Sequence, residues 1–433
     1  MQAAMSLNPR PYKGTRDHYP EDKRLQNYIF NAWRVTSERF GYEEYGAPLL
    51  EPLDIYAAKT GQEIVNEQTY QFTDRGGRNV AIRPEMTPSV SRMIAGRRQE
   101  LPYPARWYSI ANFMRYERPQ HGREREFWQL NVDIFGVDSI DADAEMIVMA
   151  AALMKELKAT PDMYTIKVNN RKLINFMMAE YLQLEVEQAQ QMIKLFDRKD
   201  KIEPNAFKEQ ATTIFDAVKV EEGLKKIASL LTAKTMADLP PVIRDSAAVK
   251  EIQNLFTIVT EAGVSNAKLD ITLMRGFDYY TGIVFEVFDN HPDNRRSMFG
   301  GGRYDGLVGL FGAEPISAVG MAPGGTTTED FLRSHNLIPK LSSLTDVYVI
   351  PLGDSLSGAQ KVAEKLREKN INVEVDISSR KIEKQIKAAV KKKIPYLLFV
   401  GEEELKSGEY TLKNVKTEKE QKLSIEKIIQ TLS

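Results

Sequence analysis

The stretch LMRGFDYYTGIVFEVFDN (273–290) combines an apolar strand pattern with polar residues that a protein core rarely holds without partners. Its second half, IVFEVF, consists mainly of β-branched and aromatic residues, which predicts a buried strand. The polar residues within or beside this run include Arg275, Asp278, Tyr279, Tyr280 and Glu286. Buried polar groups cost free energy unless they are hydrogen-bonded. The stretch therefore predicts a buried strand that carries the polar groups of a binding site.

The composition is that of a globular protein and excludes several classes of function. The 433 residues predict two or three domains, since one hydrophobic core rarely serves so long a chain. With 59 basic and 60 acidic residues, any binding of nucleic acid must depend on a local patch. The absence of cysteine excludes disulfides, thiol catalysis and cysteine-ligated zinc, and four scattered histidines argue against a histidine-rich metal site. No stretch approaches the roughly 20 apolar residues of a membrane span, so we expect a cytoplasmic protein.

The order of the predicted elements indicates a core that is interrupted and then resumed. The first part is predicted to contain helices at 21–40 and 141–158, a hairpin and a helix within 69–96, two strands within 106–136 and a strand at 164–170. Residues 171–262 are nearly all helical in pattern, which predicts a helical insertion, and strand character returns at 267–280. After a linker near 335–345, strands alternate with helices as in a small α/β domain. Its basic stretch 379–393 suits either a solvated helix face or a contact with a phosphate backbone.

Four arginines fall within eleven residues of a loop that joins two predicted strands: Arg115, Arg118, Arg123 and Arg125. Three acids alternate with them: Glu117, Glu124 and Glu126. A guanidinium binds phosphate through paired hydrogen bonds, while the acids can orient the arginines or help hold a divalent cation on a polyphosphate. The same pattern also describes an exposed hairpin tip with surface ion pairs, each worth roughly 0–1 kcal/mol. The loop alone leaves both interpretations open.

Polar residues also interrupt the neighbouring strand and a helix start. Gln129 and Asp133 lie four residues apart in WQLNVDIFG and share one face of a strand, because successive side chains alternate. That face is either the floor of a pocket or the water-facing side of an edge strand. Glu85 and Thr87, in RPEMTP, lie at a predicted helix start, where they can cap the helix or hold an ammonium group.

The glycine-rich loop GGGRYDG (300–306) permits close backbone approach, but the common nucleotide-binding motifs are absent from the sequence. There is no GxxxxGK[ST], and no GxGxxG follows a predicted strand. A nucleotide site in this chain is therefore neither a P-loop nor a dinucleotide fold. Within the loop, Tyr304 is compatible with core packing, and Arg303 either binds phosphate or pairs with Asp305.

Several motifs together resemble those of the class II aminoacyl-tRNA synthetases. FMRYERPQHGREREFWQ (113–129) resembles motif 2 of that class, and RGFDYYTGIVFEV and GGGRYDGL resemble the two histidine-specific motifs of the histidyl-tRNA synthetase family. YKGTRD near the start and VGEEELKSGEYTLKN in the last domain resemble the same family. The resemblance extends over nearly the whole chain and is weakest in the helical insertion.

The resemblance implies an α+β catalytic core with a mixed, mainly antiparallel sheet, a helical insertion and a C-terminal α/β anticodon-binding domain. We expect the core to comprise residues 1–170, with motifs 1 and 2, and residues 263–334. The insertion is then 171–262 and the anticodon-binding domain 343–433. The implied reaction is the ATP-dependent ligation of L-histidine to histidine tRNA through a histidyl-adenylate, with Mg²⁺, by a cytoplasmic homodimer.

The same resemblance implies roles for individual residues. Catalysis is assigned to Arg275 and Arg115, and ATP binding to Arg115, Glu117 and Arg123. Histidine binding is assigned to Glu85, Thr87, Gln129, Asp133, Tyr279 and Tyr280. Asp133 and Tyr280 match the pair that reads the imidazole, and no protein metal ligand is expected because the phosphates of ATP hold most of the Mg²⁺. Arg275 stands where charge develops in the transition state, so its effect should fall mainly on the rate.

Two stretches depart from the family pattern. Motif 3 normally carries an arginine that stacks on adenine, but in AVGMAPGGTTTEDFLRSHN (318–336) that position is Thr327, and Arg333 lies six residues further on. Motif 1, which builds the dimer interface in the family, is matched only through Pro48 and Glu51. The dimer is therefore inferred from the resemblance and not from these residues.

Three alternatives stay open at this point. The first is a catalytically silent regulator that senses histidine or tRNA, which would suit the missing motif 3 arginine. The second is a class II synthetase for another amino acid, although the absence of cysteine disfavours the zinc-containing pockets of that class. The third is an RNA-binding module, which would explain only the last domain.

Overall fold

The computed structural model describes residues 7–57, 67–118, 122–199, 202–233, 235–274, 279–294 and 296–432. The chain divides into two compact units, Met1–Ile338 (unit 1) and Pro339–Ser433 (unit 2). The boundary falls within the stretch expected to be a linker. Arg275 and Asp278 lie outside the described residues.

Unit 1 contains the predicted alternation of helices and strands. Its strands are β1 (Glu43–Glu44), β2 (Leu50–Pro52), β3 (Gln71–Thr73), β4 (Asn79–Ile82), β5 (Ala105–Met114), β6 (Glu126–Phe135), β7 (Tyr164–Asn170), β8 (Ala267–Leu269), β9 (Ile283–Asp289), β10 (Ser297–Arg303) and β11 (Ala318–Met321). Its helices are α1 (Pro20–Arg39), α2 (Asp54–Ala57), α3 (Thr87–Gly96), α4 (Asp141–Glu156), α5 (Arg171–Phe176), α6 (Val186–Asp197), α7 (Pro204–Ile214), α8 (Val220–Thr232), α9 (Pro241–Arg244), α10 (Ala247–Glu261) and α11 (Gly325–Ser334).

The large sheet of unit 1 has the strand order β1-β5-β6-β11-β10-β9-β7-β8. Neighbouring strands from β5 through β7 pair in antiparallel fashion, while β1 pairs with β5 and β8 with β7 in parallel. Strands from both sides of the helical insertion therefore lie side by side, because β11, β10 and β9 are placed between β6 and β7. This arrangement confirms the expected α+β core with a mixed, mainly antiparallel sheet.

Side-chain alternation along β6 gives the sheet an apolar face and a polar face. The apolar side chains are at most 1% exposed: Leu130, Val132 and Ile134. Gln129 and Asp133 point to the opposite face, because successive side chains of a strand alternate. Since β6 pairs on both sides, with β5 and β11, its polar face is the floor of a pocket and not the exposed side of an edge strand.

Helix α1 shows how local sequence and burial agree. Pro20 lies in its first turn, where the missing N–H has no helical partner to lose, and two acidic residues follow where the helix dipole favours negative charge. Leu25, Ile29 and Trp33 are buried and lie one turn apart on a single side. The predicted amphipathic helix at 21–40 is thus confirmed with bounds shifted by one residue.

Between β7 and β8 the described residues form the helices α5 to α10 and no strand, as predicted for the insertion, and a π-helical turn at Met177–Tyr181 follows α5. The strand predicted at 267–280 is wrong in its extent, because β8 ends at Leu269. Asp270 accepts hydrogen bonds from the backbone N–H of Thr272 at 3.0 Å and from its hydroxyl at 2.6 Å. A turn closed by an aspartate side chain therefore replaces the longer strand.

A second sheet of unit 1, with the order β2-β4-β3, contains Glu51, one of the two residues that match motif 1. Glu51, in β2, is 4% exposed and accepts a hydrogen bond from Arg92 of α3 at 2.8 Å. Three large apolar side chains in or beside this sheet are 43–50% exposed: Leu49, Leu50 and Phe72. The small sheet therefore presents an apolar surface to solvent.

Unit 2 has a sheet of its own and confirms the predicted small α/β domain. Its strands are β12 (Val347–Pro351), β13 (Val373–Val375), β14 (Tyr396–Val400), β15 (Glu409–Asn414) and β16 (Glu420–Ser424), in the order β13-β12-β14-β15-β16. Its helices are α12 (Leu356–Arg367), α13 (Ile382–Lys391), α14 (Glu402–Ser407) and α15 (Ile425–Leu432). Among the residues described in both units, none of the helices is long and apolar enough to cross a membrane.

The glycines where β10 meets β11 leave no room for a side chain. A Cβ on Gly301 would lie 2.2 Å from the carbonyl oxygen of Gly320, and a Cβ on Gly320 would lie 2.2 Å from Oδ1 of Asp133. Both distances are far below the roughly 3.5 Å of a favourable non-bonded contact. Because one obstacle is backbone and the other a buried carboxyl, neither can easily move away.

We expect Gly301→Ala to lower the free energy of unfolding of unit 1 by roughly 1–3 kcal/mol, because the added methyl group overpacks the sheet. All three tryptophans of the chain belong to unit 1, so urea unfolding followed by tryptophan fluorescence measures the effect. Gly306→Ala is the matched control, since a Cβ there meets no atom of the described chain within 4 Å. Equal stability of the two variants would contradict the expected clash.

Candidate active site

A small cavity of about 40 Å³ lies at the polar face of the large sheet. Its lining includes all six residues predicted to bind the amino acid: Glu85, Thr87, Gln129, Asp133, Tyr279 and Tyr280. Arg115, Asn131 and Tyr304 also line it. The fold thus brings residues from both sides of the helical insertion into one pocket, while their individual roles stay predictions.

Glu85 is held by a tyrosine hydroxyl at one end of this cavity. Oη of Tyr279 donates a hydrogen bond to Oε2 of Glu85 at 2.9 Å, and both side chains are at most 5% exposed. Burial, and then the nearby Glu85 carboxylate, raise the pKa of Tyr279 well above its ordinary value, so the hydroxyl remains a donor. Thr87 is the first residue of α3 and Met86 is the N-cap, so Thr87 is not the helix cap that the sequence allowed.

Asp133 lies at the floor of the small cavity. The side chain is 3% exposed, and Oδ1 accepts a hydrogen bond from Oη of Tyr304 at 2.5 Å. Its Oδ2 has no hydrogen-bond partner among the described residues. Burial raises the pKa of Asp133 to about 7, although the hydrogen bond from Tyr304 lowers it. A buried acid of this kind is suited to accept a hydrogen bond from an N–H group of a ligand.

Tyr304 is a site residue whose role the sequence left open between core packing and function. Its hydroxyl fixes Asp133, and its ring lies 5.8 Å from that of Tyr279 between centroids. The ring of Tyr279 in turn lies 5.1 Å from that of Tyr280. The three rings therefore form one wall of the cavity. The sequence feature that could have indicated a site role for Tyr304 is its position directly after a glycine-rich strand.

A larger cavity of about 280 Å³ adjoins the small one. Four residues line both cavities: Arg115, Gln129, Tyr280 and Ala322. The three residues predicted to bind ATP also line the larger cavity: Arg115, Glu117 and Arg123. Glu124 and Glu286 add two further acids to its wall. The arginine-rich loop is therefore the border of a cavity as well as a hairpin connection.

The arginines of this cavity are held in different ways. Nε of Arg115 donates to the carbonyl oxygen of Pro84 at 2.9 Å, and its guanidinium lies 5.4 Å from the centre of the Phe127 ring. Nη1 of Arg123 lies 2.7 Å from Oε2 of Glu117, and the Arg123 side chain is 54% exposed. Arg115 is thus held in place through its Nε, and its two Nη atoms can donate to a ligand. Arg123 is exposed enough to reach a bound group.

Gln129 connects the floor of both cavities to the start of motif 3. Its Nε2 donates to the carbonyl oxygen of Ala322 at 3.1 Å, and its backbone bridges to Gly324. The described residues contain no group of three or more His, Cys, Asp or Glu side chains that could hold a metal ion.

The position of the missing motif 3 arginine is occupied by a structural hydroxyl. Oγ1 of Thr327 lies within hydrogen-bond distance of two carbonyl oxygens, those of Met298 at 2.7 Å and of Gly324 at 3.1 Å. Arg333 pairs with Glu329 at 2.7 Å, one turn earlier on α11. Among the described residues, the arginines that line the larger cavity are Arg115 and Arg123.

Arg303 lies on the opposite face of the sheet, and both interpretations of it from the sequence missed its main partner. It forms a buried ion pair with Asp143 of α4, 160 residues away, with 2.5 Å between Nη2 and Oδ2. Its guanidinium also donates to the carbonyl oxygens of Val137 and Ser139. The contact with Asp305 is longer, at 3.5 Å. Arg303 therefore anchors β10 to α4 and is not available to a phosphate.

Comparison with known proteins finds the same family over most of the chain. A family model described as histidyl-tRNA synthetase matches residues 14–324, and one described as an anticodon binding domain matches residues 346–433. A histidine–tRNA ligase of Leptospira biflexa serovar Patoc (strain Patoc 1 / Ames) is 41% identical over 431 residues, which cover 98% of this chain and 98% of that protein.

Solved structures share the fold at lower identity. The histidyl-tRNA synthetase from Nostoc sp. PCC 7120 has a TM-score of 0.82 at 23% identity and covers 99% of each chain. A Bacillus halodurans protein described as an ATP phosphoribosyltransferase regulatory subunit/histidyl-tRNA synthetase has a TM-score of 0.73 at 19% identity, covering 93% of this chain and 100% of that one. These likenesses show the fold and do not separate a ligase from a regulator.

Asp133 should make the stability of unit 1 depend on pH. Because its pKa is raised when the protein is folded, the folded state keeps a proton that the unfolded state loses, and stability falls as the pH rises from about 4 to about 7. The wild-type protein should lose about 1.4 kcal/mol of stability for each unit by which the pKa is raised. The variant Asp133→Asn should not show this loss. Urea unfolding at a series of pH values measures the difference. Asp245→Asn, whose parent side chain is 69% exposed, is the control. Parallel curves for wild type and Asp133→Asn in this window would contradict the raised pKa.

Proposed function

The chain belongs to the histidyl-tRNA synthetase family, and on that premise we propose that it is a histidine–tRNA ligase, which joins L-histidine to histidine tRNA in an ATP-dependent reaction. The observation that carries the proposal is the pair of adjoining cavities. A small cavity with buried acids and tyrosines adjoins a larger one bordered by arginines. The 41% identity to a ligase over the full chain favours the enzyme over the silent regulator.

Histidine fits the small cavity by chemical complementarity. An imidazole N–H can donate to Oδ2 of Asp133, which lacks a partner among the described residues, while Tyr280 lines the same pocket. Glu85 and Gln129 offer oxygens to the ammonium group, with Thr87 beside them. A site with buried partners for both ring nitrogens can reject an isostere that lacks them by roughly 10⁴–10⁵. Discrimination of histidine from other amino acids would follow from these contacts.

ATP fits the larger cavity because its phosphates need cations near the reacting carboxylate. Arg115 lines both cavities and would contact the α-phosphate, and Arg123 would reach the phosphates further out. Glu117 orients Arg123 through the ion pair at 2.7 Å. Bound Mg²⁺ would neutralise phosphate charge, held mainly by the phosphate oxygens of ATP.

The proposed reaction has two steps. The carboxylate of histidine attacks the α-phosphorus of ATP, the bond to the β-phosphate breaks, and histidyl-adenylate and pyrophosphate form. A terminal ribose hydroxyl of histidine tRNA then attacks the acyl carbon, and AMP leaves. Arg275 is proposed at the reacting carboxylate and α-phosphate on the basis of the family motif, since it lies outside the described residues. None of these steps needs a side-chain nucleophile, in keeping with a sequence without cysteine.

The partners are histidine tRNA and a second copy of the chain. Unit 2 would bind the anticodon, and its helix α13 supports this because Lys384, Lys387 and Lys391 lie along it and suit a phosphate backbone. A homodimer through the motif 1 region would cover the exposed apolar side chains of the small sheet. We propose a cytoplasmic location, where tRNA is charged.

Histidine-dependent ATP–pyrophosphate exchange on the purified, full-length protein tests the proposal. We expect exchange with histidine and none above background with the other amino acids, followed by charging of histidine tRNA. If another amino acid supported exchange and histidine did not, that amino acid would be the substrate instead of histidine. A protein that binds histidine or tRNA without any exchange would be the regulator instead.

Arg275→Ala should lower the kcat of exchange by about 10²–10³, because the guanidinium acts where charge develops in the transition state. Histidine should still bind to the variant, which calorimetry measures directly. Arg244→Ala, in the helical insertion and paired only with Asp245 among the described residues, is the control and should keep wild-type exchange. Wild-type kcat in Arg275→Ala would remove this residue from the mechanism.

A further inference from the structure

The N-terminal segment 12–16, part of the YKGTRD motif, runs along the arginine-rich loop that borders the larger cavity. The backbone N–H of Arg125 donates to the carbonyl oxygen of Gly14 at 2.7 Å. Nη1 of Arg125 donates to the carbonyl oxygen of Lys13 at 3.2 Å. Arg125 is 8% exposed, so these contacts are sheltered from water. The segment is therefore part of the structure that holds the loop in place.

Arg16, at the end of this segment, joins the loop to helix α11. Its Nε lies 3.3 Å from Oε1 of Glu124, and its Nη2 lies 2.8 Å from Oε2 of Glu329. Glu329 also pairs with Arg333 at 2.7 Å, so it has two cationic partners. Glu124 accepts a hydrogen bond from the neutral hydroxyl of Thr326, at 3.2 Å. Among the described residues, Arg16 is thus the one cation within ion-pair distance of Glu124.

Glu124 and the first turn of α11 form a wall between two cavities. Four residues line both the larger cavity and a third one of about 140 Å³: Glu124, Phe127, Gly325 and Thr326. Arg16 and Glu329 line only the third cavity. Arg16 therefore stands behind the wall, and the proposed ATP site lies in front of it.

The charge of Glu124 matters because it borders the site proposed for a polyphosphate. The Glu124 side chain is 22% exposed, so water screens its charge only in part. Without a cation beside it, this carboxylate would repel the phosphates of ATP. The arginine that usually contributes a positive charge from α11 is replaced by Thr327, whose hydroxyl is bound to backbone carbonyls. Compensation must therefore come from another segment of the chain.

We propose that Arg16 is a positioning residue for ATP, which offsets the charge of Glu124 and fixes its carboxylate against Thr326. It acts through Glu124 and does not touch the nucleotide itself. The inference rests on the proposed function and adds a residue from the N-terminal segment to the support of the ATP site. It also gives the YKGTRD motif a physical role.

The test is a set of variants assayed by histidine-dependent ATP–pyrophosphate exchange. Arg16→Ala should raise the KM for ATP by about tenfold and leave the KM for histidine unchanged, because the uncompensated carboxylate borders the proposed ATP site and does not line the small cavity. Arg16→Lys should be intermediate, since it keeps the charge and loses the fork that spans both acids. Adding Glu124→Gln to Arg16→Ala should restore most of the affinity for ATP, because the repelling charge is gone while an oxygen remains for Thr326.

Arg333→Ala is the matched control. It also removes an arginine from Glu329 on α11, but it leaves Glu124 paired, so the KM for ATP should stay within about twofold of wild type. Tryptophan fluorescence during urea unfolding reports whether any variant destabilises unit 1.

Three results would overturn the inference. They are an unchanged KM for ATP in Arg16→Ala, an equal rise in Arg333→Ala, and a rise in Arg16→Ala that Glu124→Gln does not reverse. If the wild-type protein shows no exchange, the proposed function fails, and calorimetric binding of Mg·ATP to wild type and Arg16→Ala then decides the role of Arg16 separately. Equal affinities in that measurement would reject it.

Discussion

Strands β6, β11 and β10 approach one another closely because Gly320 and Gly301 have no side chains. A Cβ on Gly320 would collide with the carboxyl group of Asp133, and one on Gly301 would collide with the carbonyl oxygen of Gly320. Without them, Asp133 lies against the backbone of β11, where the hydroxyl of Tyr304 reaches it from the residue after β10. The floor of the small cavity, the raised pKa of Asp133 and the position of Tyr304 all depend on this close approach.

The charged side chains are buried in the small cavity and partly exposed in the larger one, and this difference suits the proposed ligands. In the small cavity, Glu85 and Asp133 are each 3% exposed and are held by tyrosine hydroxyls. A pocket with so little water makes each unsatisfied polar atom costly, which is the basis of strict selection of a small polar ring. In the larger cavity the charges are partly exposed and arranged in pairs, so a polyphosphate can exchange existing partners for new ones at modest cost.

Much of the site could be predicted from the sequence where local patterns were strong or the family motifs were specific. Period-two spacing placed Gln129 and Asp133 on one strand face, and the family motifs assigned Glu85, Tyr279 and Tyr280 to the same ligand as Asp133. What the sequence could not supply were partners far along the chain. Asp143, the partner of Arg303, is 160 residues away, and no local pattern links them.

Two further differences separate the sequence-based prediction from the structure: the early end of β8 and a contact between distant segments. Asp270 ends β8 with a turn where the residues after it have strand character, so local hydrogen bonding prevailed over propensity. Arg16 and Glu329, 313 residues apart, meet just before α1, a helix that packs against α11. Contacts of this kind follow from the completed fold and not from any one segment.

The interleaved sheet has a consequence for the order in which the chain assembles during synthesis. β5 and β6 leave the ribosome before the entire helical insertion, whereas β9, β10 and β11 follow it. Until β11 is made, β6 has an unpaired edge, and its buried acid has neither its glycine neighbour nor its tyrosine partner. Contacts so distant in sequence give a high contact order and slow folding, and an unpaired edge invites association with other chains. The insertion is dominated by local helical contacts and is therefore expected to fold before β9, β10 and β11 have been synthesised. Until then, the incomplete sheet is the part of unit 1 that we expect a chaperone to protect.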